Sequence, residues 1–341
     1  MAGGIPFLSR VSRPVFRLLV AVLCVAGTTL DARSEILTLK DKLGHQVAVS
    51  VPVRRAVFLS LYEFIPVLGV WDKVVGVNRW AFDHSTLEPT LKQRGIPSVG
   101  TGSNVNVERI LALEPDLVIL WSYKPEMVEF LAARGLKVLA VYPDSLEELY
   151  EVMDLCGRLF GVEGRAKEVR SLMEGMFEMI RSPVSRVTFE QRRKVLWVWQ
   201  EPTRVSGSLG LQQDLTGWIG AVNPAGGFPT RYANVSLEQI VAWNPDVIFI
   251  WGHATYGAER LLESPQWKSV RAVRDGRVFK APKVDSWSPS VALLALWMAQ
   301  KTYPECFSGM SLHPMARTFH MQCFGVPLDG PLDQEAQWRN D

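Results

Sequence analysis

The stretch NVNVERILALEPDLVILW at residues 104–121 returns without a gap as NVSLEQIVAWNPDVIFIW at residues 234–251. Asn, Val, Glu, Ile, Ala, Pro, Asp and Trp recur at equivalent places, and the remaining apolar positions exchange for one another. Two copies of one helix-strand unit, starting 130 residues apart, predict two lobes built alike. The length agrees, because 341 residues exceed what one hydrophobic core usually organises.

Each copy has a physical reading. A polar residue, Asn106 or Ser236, stands where a helix needs its N-cap, and Ser236 with Gln239 fits a capping box. Pro-Asp then turns the chain, and four continuously apolar residues follow, at 117–120 and at 247–250, as in strands covered on both faces of a parallel sheet. Residues 56–59, 74–77, 138–141, 195–199 and 278–280 read as further strands, and 36–40 with 46–49 as a hairpin turning at Gly44. The predicted class is α/β, with two Rossmann-like lobes, each around a central, mostly parallel sheet. Residues 163–180 lack proline and read as one helix of ~27 Å between the lobes, with Pro183 ending or bending it. The expected division is 1–34, a signal peptide; 35–162, the N-terminal lobe; 163–190, the interlobe backbone helix; and 191–341, the C-terminal lobe with its tail.

The signal peptide is predicted from Arg10, Arg13 and Arg17 ahead of the apolar run 18–26, with no acid before Asp31. That run is too short to span a membrane. Cleavage is expected after Ala32 or Ser34, and Leu23 before Cys24 does not suit lipid attachment at that cysteine. An exported, periplasmic or extracytoplasmic protein follows. The charge, 37 basic against 35 acidic residues in mixed order, offers no basic stripe for nucleic acid. After export Cys156, Cys306 and Cys323 remain, without CxxC spacing; Cys306 and Cys323 either form one bridge or all three stay free. Glycine-rich phosphate loops, GxSxG and HExxH are not found, so no enzyme is expected.

At this point the chain resembles the solute-binding proteins of ATP-binding-cassette importers that have a helical backbone between the lobes, the ferric-siderophore, vitamin B12 and haem-binding family. The resemblance runs in order through LTLKDKLGHQVAVSVPVRRAVFLS, LYEFIPVLGVWDKVVGVNRW, VERILALEPDLVI, SLEELYEVMDLCGRLFGVEGRAKEV, VSLEQIVAWNPDVIFI and SPQWKSVRAVRDGRVFKAP. It implies a ligand cleft between the lobes, an importer permease as partner, a monomer, and no catalysis or resident cofactor. A metal chelate, foremost a ferric siderophore, is the expected ligand; cobalamin, haem or a small oxyanion such as molybdate are the alternatives, and a chelate-handling enzyme on the same fold is the alternative of another class.

Ligands of open α/β sheets bind beyond the carboxyl ends of the strands. The candidates there are Tyr62, Arg79, Trp80, His84, Trp121, Tyr123 and Lys124 in the first lobe, and Arg204, Trp251 and His253 in the second; Tyr232 is added from the resemblance. Trp121 and Trp251 close equivalent strands and are expected to face each other across the cleft, where planar ligands would stack; the plainer reading is that each caps its own core. Arg79, Arg204 and Arg231 offer forked donors for carboxylate or catecholate oxygens, unless they serve only as solvated surface. His84 and His253 are weak candidates for ligating a chelated metal against a role as hydrogen-bonded cleft histidines. Glu108 and Glu238 open their helices, where an acid suits the helix dipole; the resemblance implies that they dock onto the permease. Asp116 and Asp246 are read as turn residues.

Overall fold

The structure, a computed structural model, describes residues 35–101, 104–326 and 328. The expected signal peptide, its cleavage site and the end of the tail lie outside the described residues.

Strands β1 (Glu35–Lys40) and β2 (Gln46–Val51) form the expected antiparallel hairpin. Its turn is held by Asp41, whose Oδ1 accepts the Leu43 and His45 amides at 2.9 and 2.8 Å, and Gly44 takes the left-handed φ of 91° that the turn requires. The first lobe is built on β3 (Ala56–Phe58), β4 (Val74–Val77), β7 (Leu117–Trp121) and β8 (Val138–Val141), all parallel, in the order β4-β3-β7-β8. Between β4 and β7 lies a small antiparallel pair, β5 (Gly100–Thr101) and β6 (Asn104–Val105). The second lobe holds β9 (Val195–Val198), β10 (Arg204–Ser206), β11 (Tyr232–Asn234), β12 (Val247–Ile250) and β13 (Val278–Lys280), in the order β11-β10-β9-β12-β13. Here β9, β12 and β13 run parallel, and only β10 opposes its neighbours.

The sequence repeat is also a structural repeat. Asn106 Oδ1 accepts the Arg109 amide at 2.9 Å, and Ser236 Oγ accepts the Gln239 amide at 3.2 Å, so both short helices begin on a side-chain cap. The aspartates of the Pro-Asp turns each secure the neighbouring strand: Asp116 Oδ2 accepts from the Arg54 and Arg55 amides, and Asp246 Oδ2 from the Lys194 amide. The buried strands alternate faces, as a pleated sheet demands. Val118 and Leu120 join a core private to the first lobe, and Ile248 and Ile250 one private to the second. Leu117, Ile119, Val247 and Phe249 point to the opposite side, into a single apolar cluster that extends through both lobes.

That common cluster is filled by helices. The backbone helix, Glu163–Val184, buries Ala166, Val169, Met173, Met176, Phe177, Ile180 and Val184, a stripe at helical spacing. Its 22 residues give about 33 Å. It runs one turn past the expected end, with Pro183 inside its last turn; the Ser185 amide still reaches Arg181 O at 2.9 Å, so the proline removes one donor without stopping the helix. Helix Ser290–Thr302 is buried along nearly its whole length against the backbone helix.

Residues 191–341 do not all remain with the second lobe. Helix Leu312–Phe324 packs against Phe64–Leu68 of the first lobe as well as against the backbone helix. Cys156, Cys306 and Cys323 are free, so the bridge considered for Cys306 and Cys323 is not formed.

Candidate ligand site between the lobes

The loops that follow the strands meet in a cavity of about 750 Å³, within the 300–1,000 Å³ typical of small-molecule sites. Most of the wall traces to strand ends, and helices Ser290–Thr302 and Leu312–Phe324 add Leu293 and Phe324. Tyr62 and Glu63 follow β3; Trp80, Asp83 and His84 follow β4; Trp121 ends β7. Trp199 follows β9, Trp251 and His253 follow β12, and Asp285 and Trp287 follow β13, while Arg204 and Tyr232 stand on β10 and β11.

Of the eleven residues named from sequence as cleft candidates, Tyr62, Trp80, His84, Trp121, Arg204, Tyr232, Trp251 and His253 line this cavity. Arg79, Tyr123 and Lys124 do not. Arg79 lies along its own short helix with Nη1 3.0 Å from Asp83 Oδ1, and half-exposed Tyr123 meets the Tyr142 ring edge-on at 6.1 Å. Arg231 is taken by the other lobe: its Nε and Nη2 donate to Asp144 Oδ1 and Oδ2 at 2.5 and 2.6 Å. Lys124 precedes helix Pro125–Ala132.

The aromatic walls are built from ring clusters. Trp121 meets Trp287 of the second lobe at 5.1 Å between centroids, whereas Trp251 lies 5.4 Å from Trp199 and 5.2 Å from His253. Trp121 and Trp251 therefore belong to separate aromatic clusters, both of which line the cavity. Trp199, Trp287, Glu63 and Asp285 were missed from sequence. The strand-end rule that selected Trp251 applies equally to Trp199 at the end of the predicted strand 195–199, so that signal was present.

His84 is committed to Glu63, with Nδ1 3.1 Å from Oε1. Burial disfavours its charge, but the Glu63 carboxylate outweighs that and raises its pKa. His253 moves down instead, through burial and through the neighbouring His84 and Lys283. Among the described residues no group of three or more His, Cys, Asp and Glu is arranged to hold a metal ion. Asp285 is pushed up to about 7 by burial and by the Glu63 charge. Arg204 lies over the Tyr232 ring at 4.8 Å and makes no ion pair with a described residue, so its forked donors remain available.

One flank of the cavity is a polar seam. Besides the Asp144–Arg231 pair, Trp287 Nε1 donates to Pro143 O at 3.0 Å, and the Leu146 amide donates to Asp214 Oδ2 at 2.6 Å. Asp214, from the second lobe, thus adds an acid at the N-terminus of first-lobe helix Leu146–Phe160. Glu108 and Glu238 stand exposed at the second positions of helices Val107–Ala112 and Leu237–Trp243, outside the cavity lining. Each helix runs back into its strand, so its N-terminus lies toward the sheet edge that carries the cavity. Backbone and Ser236 donors hold the Glu238 carboxyl below its usual range.

Residues 56–284 match the family described as periplasmic binding protein. The chain belongs to that family. Its class is the helical-backbone type of ATP-binding-cassette importers. The molybdate-binding protein MolA of Haemophilus influenzae is 24% identical over 90% of this chain and 95% of its own. The iron(3+)-hydroxamate-binding protein FhuD of Bacillus subtilis is 24% identical over 77% of this chain and 87% of its own. Among solved structures, Helicobacter pylori CeuE in a nickel-histidine complex superposes with a TM-score of 0.76 at 24% identity, covering 90% of this chain and all of that one. The molybdate-bound MolA structure gives 0.72 at 20% identity, over 86% of this chain and 99% of that one. These periplasmic binding proteins share the fold while their names carry different ligands. Among the described residues no helix is long and apolar enough to cross a membrane.

Proposed function

We propose that this periplasmic binding protein captures a metal chelate, foremost a ferric siderophore, outside the cytoplasm and delivers it to an importer permease without transforming it. The observation that carries this reading is the cavity itself: about 750 Å³ between two lobes, walled by Trp80, Trp121, Trp199, Trp251 and Trp287. A bare tetrahedral oxyanion occupies little more than a few waters' worth of space and would leave most of such a cavity unfilled. A chelate with a planar or ring-rich periphery would cover the tryptophan faces, and Arg204 would pair with its carboxylate or catecholate oxygens. Export through residues 1–34 and docking through Glu108 and Glu238, one on each lobe, complete the proposal.

The relationship to MolA favours a second reading, an oxyanion ligand. Titration of the purified protein, followed by tryptophan emission, separates the two. Ferric trihydroxamate or tricatecholate complexes, cobalamin, haemin and molybdate are the ligands to compare. We expect quenching by an iron chelate with a Kd below about 1 μM, and a loss of roughly 1 to 3 kcal/mol in Trp121→Ala or Trp251→Ala, typical of a removed aromatic anchor. Saturable binding of molybdate alone, with no response to any chelate, overturns the chelate assignment.

A further inference from the structure

The cavity contains a pair of acids that the aromatic walls do not explain. Glu63, from the first lobe, is 6% exposed, and its Oε2 finds no hydrogen-bond partner among the described residues. Its Oε1 is met by His84, whose ring lies edge-on to Tyr62 at 5.2 Å. Asp285 enters the same cavity from the second lobe, held by the Trp287 amide at Oδ1. The two carboxyls feel each other: burial and the Glu63 charge together raise Asp285.

We propose that Glu63 and Asp285, one from each lobe, form a subsite for a cationic nitrogen of the ligand, an ammonium or amidinium group. A carboxylate only accepts hydrogen bonds, and leaving one of its oxygens buried without a donor is costly. A ligand group that satisfies Glu63 Oε2 must therefore donate. A cationic donor also offsets the repulsion between the two acids, which drawing the lobes together otherwise increases. Tyr62 and Trp80 line the same cavity, and an aromatic face brought against the ligand there would favour a cation over a neutral donor. Asp83 adds a third acid to the lining; against these stand His84, His253 and Lys283, and Arg204 on β10 over Tyr232. The cavity thus offers a place for a positive group and, at Arg204, a place for a negative one. This inference rests on reading the cavity as the ligand site, and it specifies the chemistry of the ligand beyond its being a chelate.

The test uses matched pairs in which N-acetylation removes the charge of the amine, titrated by calorimetry into the full-length mature protein. One pair is tryptamine and N-acetyltryptamine; the other is the ferric complex of a linear trihydroxamate ending in a primary amine and the same complex N-acetylated. The proposal expects at least a tenfold preference for the amine in one or both pairs. That preference should fall toward one in Glu63→Gln and Asp285→Asn, while binding of the acetylated partner, which shows that each variant is folded, is retained. If the aryl amines discriminate and neither ferric complex binds, the subsite stands and the chelate reading fails. Equal affinity within each pair overturns the subsite, as does a preference that survives in both variants or the failure of all four probes to bind at millimolar concentration.

Discussion

Asp144 and Asp285 lie at the junction of the two lobes and respond to pH in opposite directions. Burial alone would raise Asp144, but Arg231 and Lys42 hold it below the ordinary carboxylate range. The folded state then binds fewer protons than the unfolded chain, so the contribution of Asp144 is complete above the ordinary carboxylate pKa and is lost as pH falls through the lowered folded value. Asp285 is raised to about 7, so the folded state holds its proton after the unfolded chain has released it. Stability should therefore fall as pH rises from about 4 to 7, and level off above. Melting temperatures across pH 3 to 8 check both. Asp285→Asn should flatten the decline between pH 4 and 7, and Asp144→Asn should lower stability at neutral pH by about 1 kcal/mol, a charge-assisted pair discounted for its partial exposure. An unchanged slope in Asp285→Asn would show that another group carries that titration. At this scale the sequence was only partly legible. Strand ends point to Tyr62, Trp121 and Trp251 because strand periodicity is local, but that Arg231 serves Asp144 is invisible, since the two are 87 positions apart and join only when the lobes meet. Glu63 and Asp285 were missed for the same reason.

Arg165, on the backbone helix, shows how elements are tied together. Its Nε donates to Val67 O at 2.9 Å, and its Nη2 to Gln322 O and Cys323 O at 2.7 and 2.8 Å. These carbonyls belong to the last turns of helices Phe64–Leu68 and Leu312–Phe324, where no further turn of helix supplies a donor. One guanidinium thus joins the first lobe, the backbone helix and the C-terminal helix. Arg165→Ala should cost roughly 2 to 3 kcal/mol in urea unfolding, with faster amide exchange across Leu312–Phe324, because several partly buried acceptors lose their donor at once. Arg165→Lys should recover only part of it, since an ammonium lacks the planar fork. Unaltered exchange in that helix would remove the clamp from the account. The repeat made the paired helix-strand units legible, down to the caps at Asn106 and Ser236. The return of Leu312–Phe324 to the first lobe was not, because an amphipathic helix does not record which partner it covers.

For the whole molecule, one apolar cluster runs through both lobes and the backbone helix, while each lobe keeps its own outer core. The lobes are therefore joined by a packed spine and by a polar seam, and the cavity lies between them with Glu108 and Glu238 exposed outside it. The α/β class, the two lobes and the helix between them followed from a repeat and a charged helical segment, both local patterns. Ligand identity did not, because it depends on side chains drawn from the ends of six strands in two lobes. Capture and delivery are separate tasks on this architecture, and they should separate under mutation. Exposed acids outside the cavity are screened from its ligand beyond ~8 to 10 Å at physiological salt, whereas a reversed charge at an interface costs several kcal/mol. The most direct measurement is ligand uptake by cells carrying the cognate importer, set beside ligand affinity of the purified protein, for Glu108→Arg/Glu238→Arg and for Trp251→Ala. The predicted result is that the charge-reversed protein binds ligand normally, melts normally and no longer supports uptake, while Trp251→Ala loses affinity and uptake together. Normal uptake by the double variant, or a parallel loss of its affinity and stability, would contradict the assignment of this chain as a binding protein that delivers its ligand through those two acids.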